Sequence, residues 1–567
     1  MAHLHKKLKR GHAYYYIRET QRINGKPTIV NQFYLGNANK ILSLFLGISQ
    51  SLPKRFSSKE FGSVFMINQI DRYVDLANIV DSVIPSGKKT SEPTVGELLL
   101  YAVINRAIAP KSKRQMASWY EKTDIQQVRP ARLEALSPQN FRNHWDRIGE
   151  EGLKKISECF FKKVRALFSD DEHFMFDTTN YYTYLGSQTP SGLAKRGHNK
   201  SGKHYIDYLR QVGLALVVQR SNGLPVYYEL YPGNQHDASF FKDHLEKMMD
   251  KLGESVKELT LIFDKGMNSQ EVIERIDEKR GLHFITSYSP YFAQELASIL
   301  LKRFKTLDCR ANEQIQGKDK ILFYETSAPF WGRTRKVVII FNPKTFRKKR
   351  YDLKEKLQKV REELFELRRK HREGDRHWKK PDAVRSYYER LCESLHICKE
   401  VFELSFYNEN GHTAMSFHLN RYQMESSLRR FAKTILVTDH DTWPPNEIYQ
   451  AYMDRYIVED QFQKTKNPFH VAFMPQYHWT DSKIRIHAFV CIAALAYLSL
   501  MKQMLAKKGI SISVYKAMEE MRSLRSAIYW MPKEKRSKRL LEDPNPIQKA
   551  ILSAFGYQGK DSRVLQR

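Results

Sequence analysis

LTLIFDKG, residues 259–266, is an unbroken apolar run that stops on a carboxylate, Asp264. Apolar runs of about four to eight residues with β-branched and aromatic content mark strands buried on both faces, as at the centre of an α/β sheet. A carboxylate ending such a strand lies at the carboxyl edge of the sheet, where open α/β sheets bind ligands. A second run, HFMFDTT (173–179), places Phe174 and Phe176 before Asp177 and is read the same way. Either aspartate alone is more simply a turn or a helix cap. Two of them, followed later by a helix-borne glutamate, are harder to dismiss.

Between the two aspartates the expected order is strand, strand, strand, helix, strand. RQVGLALVVQ (210–219) and PVYYELY (225–231) flank Ser221-Asn222-Gly223, a hairpin signal. Phe240, Phe241, Leu245, Met248, Met249 and Leu252 recur at helical spacing within 237–252. After Asp264, residues 268–279 read as a crossover helix and 282–286 as another strand. Three antiparallel strands followed by alternating helix and strand predict a mixed α/β sheet with helices on its faces, the ribonuclease H-like plan.

The glutamate lies in AYMDRYIVEDQFQKTK (451–466). Tyr452, Arg455, Glu459 and Lys466 stand at offsets of 3, 7 and 14, one helical stripe roughly 60° wide at about 100° per residue. Ordinary i,i+3 and i,i+4 charge pairs on an amphipathic helix are the plain reading. A carboxylate between two cations and a phenol also suits a metal-bound carboxylate beside phosphates.

These residues resemble the DDE transposases of bacterial insertion sequences, in the branch defined by a Tyr-Arg-Glu-Lys helix with spacings of 2, 3 and 6, matched here at all four positions. The stretches APKSKRQMASWYEKT (109–123), AKRGHNKSGK (194–203), GLPVYYELYPGNQHD (223–237) and YHWTDSKIRIHAFVCIAALAYL (477–498) are similar to long members of that group. The resemblance implies that Asp177, Asp264 and Glu459 are the catalytic carboxylates, and that Tyr452, Arg455 and Lys466 contact DNA. It also implies a protein of the bacterial cytosol and nucleoid. Three carboxylates with no His or Cys partner suit two Mg²⁺ ions, with Mn²⁺ as a substitute. The expected partners are double-stranded DNA, as inverted-repeat ends and target, and a second copy of the chain in a synaptic homodimer. A nuclease of the same fold that does not join strands, or a transposase-derived regulator without catalysis, are the alternatives.

Composition agrees with a polyanionic partner without identifying one. The 567 residues carry 94 Lys and Arg against 63 Asp and Glu, a formal net charge of +31, a bias shared by RNA-binding and membrane-surface proteins. With 41% apolar residues the chain can bury several cores. The longest apolar stretch, Ala488 to Met501, is too short to span a bilayer and reads as a buried helix, so no membrane partner is expected. Met1 to Arg10 is basic, with no signal-peptide core after it. The five cysteines, among them Cys392 and Cys398 near His396, lack zinc-type spacing and read as free thiols.

Six segments are expected. Residues 1–85 hold an N-terminal β-hairpin, from the aromatic–polar alternation of 12–35 around Asn24-Gly25. Residues 86–170 form a helical DNA-binding region, where Lys111, Lys113 and Arg114 precede a helix carrying Met116, Trp119 and Tyr120, either a core stripe or a helix for a DNA groove. Residues 171–287 and 432–505 form the catalytic core, in which Lys195 and Arg196 are candidate DNA contacts and His236 a helix cap or a neighbour of the site. The 195 positions from Asp264 to Glu459 require an inserted α+β domain, placed at 288–431. Within it Lys336 to Phe341 reads as a strand. Leu353, Leu357, Val360, Leu364 and Leu367 form a coiled-coil-like seam, and a partner helix folds back after Pro381. Residues 345–380 hold 15 Lys or Arg against 7 Asp or Glu, which suits either a solvated helical hairpin or a clamp on the DNA backbone. Trp331, between Pro329-Phe330 and Gly332, is expected in an exposed turn, as a candidate to stack on a displaced base. Residues 506–567 are expected to be helical, with Met518, Met521, Leu524 and Ile528 on one face from Val514 onward.

Overall fold

The computed structural model describes the chain apart from residues 24, 52–54, 86–92, 168–171, 198–207, 254–257, 410–411, 475–477, 531–536 and 558–567. Asn24, Tyr477 and residues 198–203 of the stretches quoted above therefore lie outside the described residues. The chain divides into two compact units, Met1–Ile156 with Tyr497–Arg567, and Ser157–Ala496.

The first unit opens with the hairpin expected from the aromatic alternation. Strand β2 (His12–Ile23) pairs with β3 (Lys26–Gly36), and β1 (Ala2–Lys9) adds a third strand on the other side of β2. The next strand, β4 (Arg55–Glu60), finds its partner near the other end of the chain, in Arg525–Trp530, which also pairs with Ser537–Leu541. The expected C-terminal helix therefore stops at Ser523. Leu524, Ser526 and Ile528 are buried, while Arg525, the first residue of the strand, is exposed, so the burial period drops to two where the ladder with β4 begins. The helix Val95–Ile108 starts at a capping box, Thr94 with Glu97, which satisfies two of its orphan donors. Met116, Trp119 and Tyr120 are buried, so that stripe is core.

The second unit is built on nine strands. In chain order they are β5 (His173–Thr183), β6 (Arg210–Gln219), β7 (Pro225–Pro232), β8 (Leu259–Phe263), β9 (Leu282–Tyr288), β10 (Lys305–Thr306), β11 (Leu322–Phe330) and β12 (Arg333–Phe341). After a separate hairpin, β13 (Phe402–Glu409) and β14 (His412–Leu419), comes the ninth, β15 (Lys433–Thr438). Across the sheet the order is β10-β11-β12-β15-β9-β8-β5-β6-β7. β5, β6 and β7 form an antiparallel meander, β8 lies parallel to β5, and β9 parallel to β8. Phe174, Phe176, Leu261, Phe263 and Phe284 face the helices Asp237–Gly253 and Gln270–Glu278 in one hydrophobic core. Side chains alternate along a strand, so Asp177, Thr179 and Tyr181 point to the opposite face. There Tyr181 meets Thr465 of the helix Tyr456–Lys466.

The boundary expected for the inserted domain moves. Strands β10 to β12, inside 288–431, belong to the main sheet, joined through the antiparallel pair β12–β15. Val337, Val338 and Ile339 are fully buried, so this strand is apolar on both faces and takes an interior position. The part with its own core is shorter. The long helix Pro343–Glu373, the helix Pro381–Leu395 and the β13–β14 hairpin enclose Val360, Leu364, Leu367, Val384, Tyr388 and Cys392. The long helix ends at Gly374 in the left-handed conformation (φ 75°), and the second folds back after Pro381 as the seam predicts. All five cysteines are free thiols. The helix Asp481–Lys507 is long and apolar enough to cross a membrane by composition, but 94% of its most apolar window is buried in the protein.

Candidate active site

Asp264 lies where sequence reading placed it, immediately after β8, and its carboxylate accepts from the Lys265 backbone N–H at 2.8 Å. Asp177 does not end its strand: β5 runs on to Thr183, because β6 pairs with it along its whole length. The parallel register sets Met175 opposite Ile262, so two residues further on Asp177 is level with Asp264. Two buried strands thus bring two carboxylates side by side at the point where β8 stops.

The third carboxylate arrives on a broken helix. The stripe expected to run unbroken through 451–466 is divided into Pro445–Met453 and Tyr456–Lys466. The backbone tightens at the junction, where the N–H groups of Arg455, Ile457 and Val458 each bond three residues back. Asp454, at the break, accepts from Arg220 at 2.8 Å and from Gln450 at 2.6 Å. Tyr452, Arg455 and Glu459 still converge. The Arg455 guanidinium donates to the Tyr452 hydroxyl at 2.8 Å, lies 3.2 Å from Asp264 and 3.8 Å from Glu459, and sits over the Tyr452 ring. Lys466 is turned to β5, with Nζ 2.6 Å from Thr179 Oγ1 and near the Tyr181 ring.

Sequence reading missed Ser287. From the end of β9 its hydroxyl donates to Asp264 at 3.3 Å and accepts from Tyr452 at 2.8 Å. Tyr452 also lies 3.1 Å from Asp264. No local pattern marks this serine; only the placement of β9 beside β8 brings it to the carboxylate.

The electrostatics differ between the paired aspartates. Burial raises Asp264, but Arg455, the Lys265 N–H, Tyr452 and Ser287 outweigh it and hold the carboxyl below its ordinary range. Burial pushes Asp177 up to about 6, against the Thr178 N–H and Arg455, and repulsion from Glu459 and Asp264 adds to the rise. Burial lowers Arg455, yet Tyr452, Asp264 and Asp177 raise it further, which keeps the guanidinium charged. The site is short of positive charge at Asp177. Among the described residues, no three His, Cys, Asp or Glu side chains stand close enough to hold one ion together. Arg455 is within ion-pair distance of both Asp264 and Glu459.

The remaining candidates lie elsewhere. The Lys195 backbone pairs with Gln211, and the exposed Arg196 follows it. In the first unit Lys111 and Arg114 are exposed, and Lys113 Nζ lies 3.6 Å from the Trp145 ring. Trp331 does occupy a turn, at φ 50° before Gly332 at 75°. Its ring is not free, because it packs against Phe284, Tyr288 and Phe330 with centroids 5.4 to 5.9 Å away. His236 stands just before the helix Asp237–Gly253, where its carbonyl accepts from Phe240.

Among solved structures, the piggyBac transposase synaptic complex with hairpin DNA is similar at 9% identity and a TM-score of 0.37, over 83% of this chain and 82% of that one. The Mos1 transposase paired-end complex with left transposon end matches at 14% identity and 0.14, over 35% and 60%. The Drosophila P element transposase strand transfer complex matches at 10% and 0.20, over 85% and 96%. No curated protein matches the chain. The family described as transposase DDE domain matches residues 170–498, more than half of the chain and the whole of the carboxylate site. The chain belongs to the transposase DDE domain family.

Proposed function

We propose that the chain is a DNA transposase of the insertion-sequence branch with the Tyr-Arg-Glu-Lys signature, working in the bacterial cytosol and nucleoid. In this reading it binds inverted-repeat ends, cleaves them by metal-dependent phosphodiester hydrolysis, and joins the freed 3′-OH to target DNA at the same ribonuclease H-like site. The observation that carries the reading is the level placement of Asp177 and Asp264 on parallel strands, with Arg455 linking Asp264 to Glu459.

The donor set fits divalent ions. Asp177, Asp264 and Glu459 offer hard oxygen donors, and the raised Asp177 carboxyl marks a place where further positive charge would be favourable. These three residues would hold two Mg²⁺ or Mn²⁺ ions, which when bound relieve charge at the entering and leaving oxygens of an in-line displacement. The chain's own residues do the rest. Tyr452 and Ser287 hold the Asp264 carboxylate in one orientation. Arg455, once the carboxylates' charge is met by the ions, is available to a phosphate oxygen. Lys466, anchored through Thr179 on the same strand as Asp177, presents a second cation beside it.

The proposed partners are duplex DNA and a second copy of the chain, since cutting two ends together needs both held at once. The test is incubation of the full chain with end-bearing duplex and supercoiled target in Mg²⁺. Joined products stopped by chelator are expected. Cleavage without joining would reduce the protein to a nuclease, and binding without cleavage to a regulator.

A further inference from the structure

The long helix Pro343–Glu373 carries a second feature, beside the seam that packs against the helix Pro381–Leu395. Arg347, Arg350, Lys354, Arg361 and Arg368 recur at three- and four-residue steps or their sums, a stripe about 60° wide at about 100° per residue. From Arg347 to Arg368 the stripe runs about 32 Å at 1.5 Å per residue. It forms one wall of a groove with a cavity volume of about 790 Å³, closed on the other side by the β13–β14 hairpin and the helix Arg421–Arg430. The floor is apolar, from Leu357, Phe402, Leu419, Met424 and Leu428. Among the described residues, no aspartate or glutamate lines it.

Aromatic rings sit among the cations. Phe365 is 42% exposed and Tyr351 63% exposed, on the same helix. The guanidinium of Arg361 lies 5.6 Å from the Phe365 ring, and that of Arg368 lies 4.9 Å from Phe365 and 5.6 Å from Phe417. Asp319 engages Arg347 through both carboxylate oxygens, so four cations of the stripe face the groove without a carboxylate in its wall. A surface of this kind attracts an anion that also has flat apolar faces. A DNA duplex does not match it, because its bases are stacked inside and only phosphates would reach the floor. An unpaired strand offers both, with phosphates for the arginines and base faces for the rings. The volume is that of a site enclosing a drug-sized ligand, which here corresponds to roughly one or two bases.

We propose that this groove binds an unpaired stretch of DNA strand, at a site separate from the carboxylates. The inference rests on the transposase reading for its choice of polyanion.

The experiment is photo-crosslinking of full-length protein to a single-stranded oligonucleotide carrying 5-iododeoxyuridine, with Asp177→Asn as host so that the DNA is not cut. Crosslinks are expected at Phe365 or Tyr351, and are expected to be lost when the same oligonucleotide is annealed to its complement. Phe365→Leu should weaken single-strand binding about tenfold, within the range of base–aromatic stacking. Arg361→Gln with Arg368→Gln, which leaves the rings in place, should make the log–log salt dependence shallower by about 0.7 per lost contact. Melting temperatures of these variants should match the parent; if Phe365→Leu melts early, the arginine pair alone decides. Crosslinks mapped elsewhere, equal crosslinking of duplex, or an unchanged salt slope in the arginine pair would overturn the proposal. So would displacement of the oligonucleotide from wild-type protein, but not from the arginine pair, by a 20-residue Leu/Glu amphipathic peptide at lower concentration than by unlabelled oligonucleotide; that outcome would make the groove a protein-docking site. Cleavage of end DNA by wild-type protein is measured in parallel. Its failure with the crosslink intact would sink the transposase reading and spare the groove.

Discussion

Asp177 and Asp264 occupy equivalent levels on neighbouring strands, yet their surroundings differ, and so should their variants. Asp177→Asn removes a buried carboxyl that the protein only partly compensates, so it should abolish metal-dependent cleavage with little loss of melting temperature. Asp264→Asn should also abolish cleavage but cost stability, since Arg455, Tyr452 and Ser287 all bond to that carboxylate. Glu459, more than half exposed, should be replaceable by Gln with end binding kept and chemistry lost. Cleavage, end binding and thermal melting on the same three proteins check this; normal turnover by any of them would remove it from the site. Ser287→Ala should leave the fold intact and raise the Mn²⁺ concentration needed for half-maximal cleavage by about tenfold, as loss of a group that orients a ligand does. An unchanged Mn²⁺ requirement would show that Tyr452 alone positions Asp264. Arg455→Ala and Lys466→Ala should each flatten the log–log salt dependence of end binding by about 0.9 if each meets one phosphate. An unchanged slope in both would place these cations off the DNA.

At the scale of elements, the β12–β15 pair has a practical consequence. Phe341 is the direct partner of Lys433, and the Asn342 N–H donates to the Ala432 carbonyl at 3.1 Å, so the two ends of the 343–431 excursion already meet as a hairpin would. Replacing residues 344–430 by a short Gly-rich turn should therefore leave the nine-stranded sheet folded, with a melting temperature within a few degrees of the parent. Deleting 288–431 should not, because it removes β10 to β12 and strips β15 of one partner. Aggregation of the shorter excision would show that the helical segment is integral to the sheet. The same elements show what was readable. The apolar runs ending near Asp177 and Asp264, the meander, the crossover helix and the coiled-coil seam were legible, because each is a local period with a clear terminator. β11 was not, since LFYETSAPF mixes polar and apolar residues and owes its strand to β10 and β12 on either side. The break before Tyr456 was hidden too: Met453, Asp454 and Arg455 include no Gly or Pro, and Asp454 owes its setting to Arg220, more than 200 positions away. Ser287 depends on strand order, which no window of sequence contains.

At the scale of the second unit, a stack of rings at the ends of several strands contributes to the dependence of stability on acid. His440 lies 4.0 Å from Trp443 and 4.5 Å from His283, and its Nε2 is 2.8 Å from Thr260 Oγ1. Burial pushes its pKa down to about 3 from the ordinary 6.5, and His283 and His173 add to the shift. The unfolded chain therefore binds a proton that the folded chain refuses across that window. The stability this supports is fully present above about pH 6.5 and is lost as pH falls towards 3. His440→Asn cannot titrate, so the gap in melting temperature between wild type and variant should narrow from pH 7 to pH 5; a constant gap would show that His440 is not the group refusing the proton.

The pairing of β4 with Arg525–Trp530 gives the first unit a timetable. Ser58 and Arg525 are hydrogen-bonded partners 467 positions apart. At synthesis rates of about 5–20 residues per second, the first of these strands waits roughly half a minute to a minute and a half for the second to be made. During that interval β4 has an open edge, while the nine-stranded sheet, encoded wholly in between, is free to fold. A truncated product ending before Arg525 would never close this ladder, so premature termination late in the message should yield chains that contain the full carboxylate site but carry a permanently unpaired strand, the kind of edge that chaperones and proteases act on.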